Sequence, residues 1–274
     1  MLTFPPSPRL MTQKDKFYRA YMDFFEIAER KRRWNLFEDV PWDRLSPRAN
    51  TEERAIRIET YCAEEMHLPD YNAAGIKLVR GVFGLSWFQT AWSYEESRHG
   101  LVFREYLLRS GLRTEDQFDK FESDVFSRSW KLPFASQRRM SCYAALQESA
   151  TYLAYRAQKD RAELEKDRTL EAIFFLVSRD EAAHAGFYRE MIAIEMAEDR
   201  NGTLADLAHV IANFKMPGDG LIPNYHENLR IGGGGISPRL FFTRAVLPLL
   251  KQLGTSRDEL KTATAAAAPL QAAS

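Results

Sequence analysis

The sequence predicts an all-α fold, a four-helix bundle core with additional helices, on three observations. Apolar and aromatic residues recur at helical spacing through most of the chain. Period-2 alternation is nowhere sustained, and there is no βαβ pattern. Two Glu-x-x-His motifs, Glu96/His99 and Glu181/His184, fall inside long helical stretches.

Residues 1–12 carry three prolines and read as a loose arm. From Lys14 to Arg33, the positions Phe17, Tyr21, Phe24, Phe25 and Ile27 mark a helix. Trp34 to Asn50, with Pro41 and Pro47, reads as extended loop lying on an apolar surface. Helical patterning resumes at Thr51 and runs to about Val79, with Pro69 expected to kink or end it. Ser86 is placed to cap the next helix, which stops at Gly111. A short acidic helix covers Thr114 to Phe126. Long helices follow over Gln137–Lys166, with a break allowed inside it, and over Arg168–Glu198. A smaller helix spans Gly202 to Phe214, and Gly232–Gly235 reads as a flexible loop. The glycines are no phosphate cradle, since no strand precedes them. Phe241–Leu253 reads as helix kinked at Pro248, and the Ala-rich last dozen residues as frayed. Three regions result: an arm and helix over 1–33, a main domain over 34–255, and a partly disordered tail over 256–274.

Composition narrows function. With 274 residues, 45% of them hydrophobic, the chain can bury a substantial core. Lys+Arg and Asp+Glu balance at 38 each, which argues against nucleic-acid binding. Cys62 and Cys142 lack metal-ligand spacing and read as reduced thiols. No signal-like start and no apolar run of about 18 residues is present, so a cytoplasmic protein without a membrane span is expected.

In each Glu-x-x-His pair, three residues separate carboxylate from imidazole, so both leave one helix face. Such a pair can bind one metal ion or bridge two. A dinuclear carboxylate bundle adds one Glu from each of two further helices. Glu148 lies 33 residues before Glu181 in a largely apolar stretch, where a carboxylate is costly to bury unless it meets a cation. Glu65 lies 31 residues before Glu96, with Glu59 and Glu64 as nearby competitors. Four carboxylates and two imidazoles suit a pair of iron or manganese ions. A lone Glu-x-x-His in a helix is usually a solvated face; it is the duplication that points to metal. His67, His209 and His226 have no such partners and read as surface or structural residues.

At these residues the chain resembles the soluble acyl-(acyl carrier protein) desaturases, a ferritin-like diiron family. The run Ala91-Trp92, then Glu95-Glu96-Ser97-Arg98-His99-Gly100, resembles that family's EENRHG region, and Asp180-Glu181-Ala182-Ala183-His184 its DEKRH motif. Gln147-Glu148-Ser149-Ala150-Thr151 is similar to QERAT, and Glu64-Glu65-Met66-His67-Leu68-Pro69-Asp70-Tyr71 to EEALPTY. Anchoring on Leu-Pro-x-Tyr selects Glu65. The resemblance implies that Glu65 and His99 hold one iron, Glu148 and His184 the other, with Glu96 and Glu181 bridging. It implies a hydrogen bond from His99 to Asp180, an electron route from there through Trp34, and Thr151 beside the oxygen-binding face; a local bond to a helix carbonyl is the alternative for Thr151. It further implies O2 as co-substrate, an acyl chain on acyl carrier protein as substrate, a ferredoxin-type electron donor and a homodimer. Ala182-Ala183 replaces a basic pair, and the Glu65–Glu96 segment is shorter than in the plant proteins, so chain length and double-bond position do not carry over. The same ligand set would serve a hydroxylase or N-oxygenase, and a ferritin-like iron-binding protein is the non-enzymatic alternative.

Overall fold

A computed structural model describes residues 11–46 and 50–267, and no strand occurs among them. The expected arm over 1–12 and the distal end of the tail lie mostly outside the described residues. The helices are α1 (Gln13–Ile27), α2 (Glu52–Met66), α3 (Leu68–Val79), α4 (Phe83–Arg109), α5 (Glu115–Phe126) and α6 (Gln137–Leu164). They continue with α7 (Arg168–Glu198), α8 (Arg200–Ala212), α9 (Tyr225–Gly232), α10 (Pro238–Phe241), α11 (Leu247–Gln252) and α12 (Arg257–Ala267). No described helix is long and apolar enough to cross a membrane.

The core is built from α2, α4, α6 and α7. At about 1.5 Å per residue, α4, α6 and α7 each run roughly 40 Å. Their ends are set locally. Thr51, Ser136 and Asp167 accept from the backbone N–H of Arg54, Arg139 and Leu170, answering donors that a helix start leaves free. Lys166 takes a left-handed φ of 57°, which turns α6 tightly into α7. Asp167 also ties the helices together: fully buried, it accepts from Tyr106 Oη at 2.7 Å and Arg54 Nη1 at 3.1 Å.

Around this frame Ile58, Tyr61, Phe103, Tyr155 and Phe174 close one end of the core. Leu146, Ile192, Leu207 and Leu249 join α8 and α11 to the other. Phe17, Tyr21 and Phe24 pack α1 against Phe88 and Phe187, whose rings stack at 3.6 Å. Each such side chain contributes roughly 1.5–3 kcal/mol on burial, and helices of this length depend on that packing more than on propensity.

Several expectations need correction. α4 begins at Phe83, so Ser86 lies inside it, and its hydroxyl donates back to the Val82 and Phe83 carbonyls at 3.0 and 3.1 Å. α6 is unbroken. α9 was not anticipated, because eight residues hold too few turns for periodicity to declare itself. The glycine loop is anchored rather than free: the Gly233 and Gly234 carbonyls accept from Gln158 Nε2 and Tyr61 Oη, both at 3.0 Å. Ahead of Pro248 the irregularity is a π-helical turn, Phe242–Val246, since proline has no N–H for the Arg244 carbonyl. The tail is helical to Ala267, favoured by its alanines.

Gly84 marks the closest approach of α1 to α4. A Cβ there would lie 2.6 Å from the Phe17 carbonyl carbon and oxygen. Gly84→Ala is expected to destabilise the protein by about 1–3 kcal/mol despite alanine's better helix propensity. Urea unfolding followed by far-UV circular dichroism checks this; an unchanged midpoint would show that the crossing yields at no cost.

Candidate metal centre

Glu96, Glu148 and Glu181 lie near the midpoints of α4, α6 and α7, and Glu65 near the end of α2. Two overlapping groups form: Glu65, Glu96, His99 and Glu181 in one, Glu96, Glu148, Glu181 and His184 in the other, each with ligand-type atoms within 4.8 Å of one another. Glu96 and Glu181 belong to both. All six side chains are buried, at 0–9% exposure.

The competitors of Glu65 have other partners. Glu59 pairs with Arg113, and Glu64 turns to the Tyr225 hydroxyl at 2.8 Å, with burial pushing its carboxyl up to about 7. Glu65 accepts from the Tyr155 hydroxyl and faces His99 Nδ1 at 3.8 Å. His99 Nδ1 also stands 3.2 Å from both Glu96 and Glu181. His184 Nδ1 lies 2.9 Å from Glu96 and 3.6 Å from Glu148. Trp92 Nε1 donates to the remaining side of Glu148 at 3.0 Å.

Behind each imidazole stands a second acid. His99 Nε2 faces Asp180 at 3.4 Å, the longer of the two contacts, and His184 Nε2 faces Glu95 at 2.7 Å. Asp180 was anticipated, whereas Glu95 was missed. The available signal was its position: Glu95 and Asp180 each immediately precede a motif glutamate, and each reaches the histidine of the other motif. Such partners fix ring orientation and tautomer. Arg32 also escaped the sequence reading. A π-helical turn over Ala28–Arg32 brings it inward to 5% exposure, where Nη1 donates to Glu95 and Asp180 at 2.6 Å each. Arg98 Nη2 donates to Asp180 at 3.2 Å, and Trp34 Nε1 to the same carboxylate at 2.7 Å. Trp34 is itself 5% exposed beneath the Arg98 guanidinium. Thr151 does make the local bond, donating to the Gln147 carbonyl at 3.1 Å, while its side chain lines the cavity described below. Of the other histidines, His67 is buried beside Asp70, His209 packs against Phe134, and His226 is exposed beside Asp219.

Electrostatics separate the two layers. Arg32 and Arg98 answer the outer acids, Glu95 and Asp180. For Glu95, burial acts upward, yet His184 and Arg32 together hold its carboxyl below 4.5. Among the described residues, no arginine or lysine forms an ion pair with the inner four carboxylates. Burial, then the charge of Glu96, raises Glu65; burial, then Glu96 and Glu148, raises Glu181. Burial would also lower both imidazoles, but surrounding carboxylates carry them above 6.5. Buried atoms of the centre have no hydrogen-bond partner: Glu96 Oε1, His99 Nδ1, Glu148 Oε2, Glu181 Oε2 and His184 Nδ1. Unpartnered buried ligand-type atoms from three separate helices, converging in one place beside Glu65 of a fourth, fit two cations, and a pair of divalent ions would balance four carboxylates.

A cavity opens beside this cluster, with Tyr71, Trp92, Trp130, Leu132, Met140 and Tyr143 among its walls. A larger one, open to solvent, runs along α6 and α9, and Glu64 and Thr151 line both.

Helical architecture and buried carboxylate–histidine cluster together define a ferritin-like bundle with additional helices. The fold is shared with DesA2 of Mycobacterium tuberculosis H37Rv, at a TM-score of 0.62 and 19% identity over 89% of this chain and 99% of that one. It is shared too with an R2-like ligand-binding oxidase from Sulfolobus acidocaldarius, at 0.53 and 14% identity, over 85% and 90%. The chain belongs to the fatty acid desaturase family, whose model matches residues 54–229. Mycobacterium tuberculosis DesA1, named as an acyl-(acyl-carrier-protein) desaturase, is 25% identical over 222 residues, 77% of this chain and 64% of that protein. The stearoyl-(acyl-carrier-protein) 9-desaturase of Ricinus communis is 25% identical over 189 residues, 64% and 47% respectively. The chain thus spans less than two thirds of the length of these relatives.

Breaking the outer layer should be costly. Glu95→Gln leaves Arg32 short of a buried charge partner, with an expected loss of about 3–5 kcal/mol at neutral pH. Because the Glu95 pKa is depressed on folding, its contribution is present above 4.5 and is lost as pH falls through the folded value. The gap between wild type and variant in urea midpoint should therefore narrow on acidification; a gap that widened would contradict this assignment.

Proposed function

We propose that the protein is a diiron desaturase that uses O2 to introduce a double bond into an acyl chain carried by acyl carrier protein. The observation that carries this reading is the set of unpartnered buried ligand atoms beside a largely apolar cavity. Family membership and the names of the relatives support the substrate class. Glu65 and His99 would hold one iron and Glu148 and His184 the other, with Glu96 and Glu181 shared. Bound iron supplies the O2 chemistry needed to break an unactivated C–H bond.

The chain's own groups hold and orient. Asp180 and Glu95 fix His99 and His184 through Nε2, leaving each Nδ1 toward the metals. Arg32 and Arg98 keep those acids ionised, and Trp92 orients Glu148. We assign Trp34, bonded to Asp180, to the electron route, and Thr151 to the oxygen-binding face. The substrate loses two hydrogens, and O2 takes up four electrons and leaves as two waters. Two of those electrons come from the substrate and two from an external donor of ferredoxin type. The same reading makes the protein a homodimer. Phe83, Trp87, Tyr94 and Leu101, each more than half exposed along α4, supply an apolar face for such a pairing.

Iron-loaded protein with ferredoxin, reductase and O2 is expected to desaturate at least one member of a panel of acyl carrier protein thioesters. A product bearing a new hydroxyl would move the assignment to a hydroxylase, and an unchanged panel would remove it. Glu148→Ala should lower bound iron from about two per chain to about one and abolish turnover; two full equivalents would sink the ligand assignment. Because Glu65 and Glu181 hold protons above the usual carboxylate range, iron must displace them. Uptake should weaken as pH falls and release protons, a difference that calorimetry in two buffers of unlike ionisation heat would reveal.

A further inference from the structure

The cavity beside the cluster is not uniformly apolar. Gln89 lies on α4, three residues before Trp92 and seven before Glu96, so the three share one helix face. It is 7% exposed and lines the cavity. Its backbone carbonyl accepts from the Ser93 hydroxyl, but no described residue hydrogen-bonds its carboxamide. The space holding that amide exists because residue 75 is glycine: a Cβ there would lie 2.9 Å from Gln89 Cδ and Nε2. Tyr188 faces the same cavity from α7, seven residues after Glu181, and no described residue hydrogen-bonds its hydroxyl either.

α4 and α7 run antiparallel here, since Phe88 stacks on Phe187 while His99 meets Asp180 and Glu181. Gln89 and Tyr188 therefore stand at one level of the bundle. At 1.5 Å per residue, that level is roughly 10 Å from the carboxylate cluster.

We propose that this cavity takes an acyl chain bearing a hydroxyl group, recognised by the Gln89 carboxamide and the Tyr188 hydroxyl. A plain hydrocarbon chain would displace the water solvating these groups and leave both buried and unmet. A keto oxygen only accepts, and would leave Gln89 Oε1 without a donor. A hydroxyl both donates and accepts: it can give its proton to Gln89 Oε1 and receive a bond from Tyr188 Oη or Gln89 Nε2. Sites built this way discriminate strongly against the analogue lacking the group, because their own polar atoms lose their partners. The hydroxyl would sit on the chain at the level of Gln89 and Tyr188, away from the carbons at the metal centre. This inference rests on the carrier-bound acyl chain of the preceding reading.

The test is binding, which needs no turnover. Acyl carrier protein thioesters of saturated chains, in a graded series of lengths, are compared with counterparts hydroxylated at successive positions. Tryptophan fluorescence reports occupancy, since Trp92 and Trp130 form part of the cavity wall. Wild type is expected to bind the best hydroxylated chain at least about tenfold more tightly than the plain chain of equal length. Gln89→Met should bring that ratio close to one while plain-chain affinity holds or improves. Tyr188→Phe, which removes only the hydroxyl, should reduce the ratio and serves if Gln89→Met fails to fold. Equal or tighter binding of plain chains at every length and position overturns the proposal, as does an undiminished preference in both variants. A preference without any oxidation would support this specificity and count against the desaturase reading. Desaturation of plain chains with no preference would do the reverse.

Discussion

Four carboxylates converge inside a helical core in two overlapping groups, each with its ligand-type atoms within 4.8 Å of one another, and their charge is the constraint around which the molecule is arranged. Water cannot solvate them there, and each buried charge without an opposite partner would cost several kcal/mol. Helix ends fixed by local caps, the tight turn at Lys166 and the buried Asp167 node all hold the four carrying helices in register. Without that register, the glutamates could relax apart.

The charge is handled in layers. Outside, Arg32 and Arg98 neutralise Glu95 and Asp180 through buried, hydrogen-bonded pairs. Inside, the compensation is left to two imidazoles, and Nδ1 of each remains without a protein partner. Arginine in the inner layer would have satisfied the carboxylates permanently and closed the site to cations. The outer acids cross over, each supporting the histidine of the opposite motif. Neither half of the duplicated helix pair is therefore complete alone, and the two motifs are coupled mechanically as well as through shared glutamates.

Beside the cluster, the aromatic walls of the cavity are interrupted by polar groups, Gln89 and Tyr188 among them. Gly75 and Gln89 form a complementary pair across α3 and α4: a missing side chain on one helix makes the room for an amide from the next. Such pairing leaves the overall volume and helical pattern unchanged while altering what the cavity can hold.

Local sequence determined most of the helices and all six members of the cluster. Long helices announce themselves over many turns, and a duplicated carboxylate–imidazole spacing is a chemical pattern fixed within single helices. Glu65 could be separated from Glu59 and Glu64 only through the neighbouring Leu-Pro-x-Tyr, because spacing alone cannot say which face of α2 turns inward. The short α9 and the π-helical turns escaped because too few residues carry their signal. Only the tertiary structure decided that Arg32 reaches the core, that Glu95 supports His184 across 89 positions of sequence, and that Gln89 faces the cavity opposite Gly75. Ligand identity is written in spacing along one helix. Charge balance and pocket polarity depend on which faces of separate helices meet, and that is set by packing.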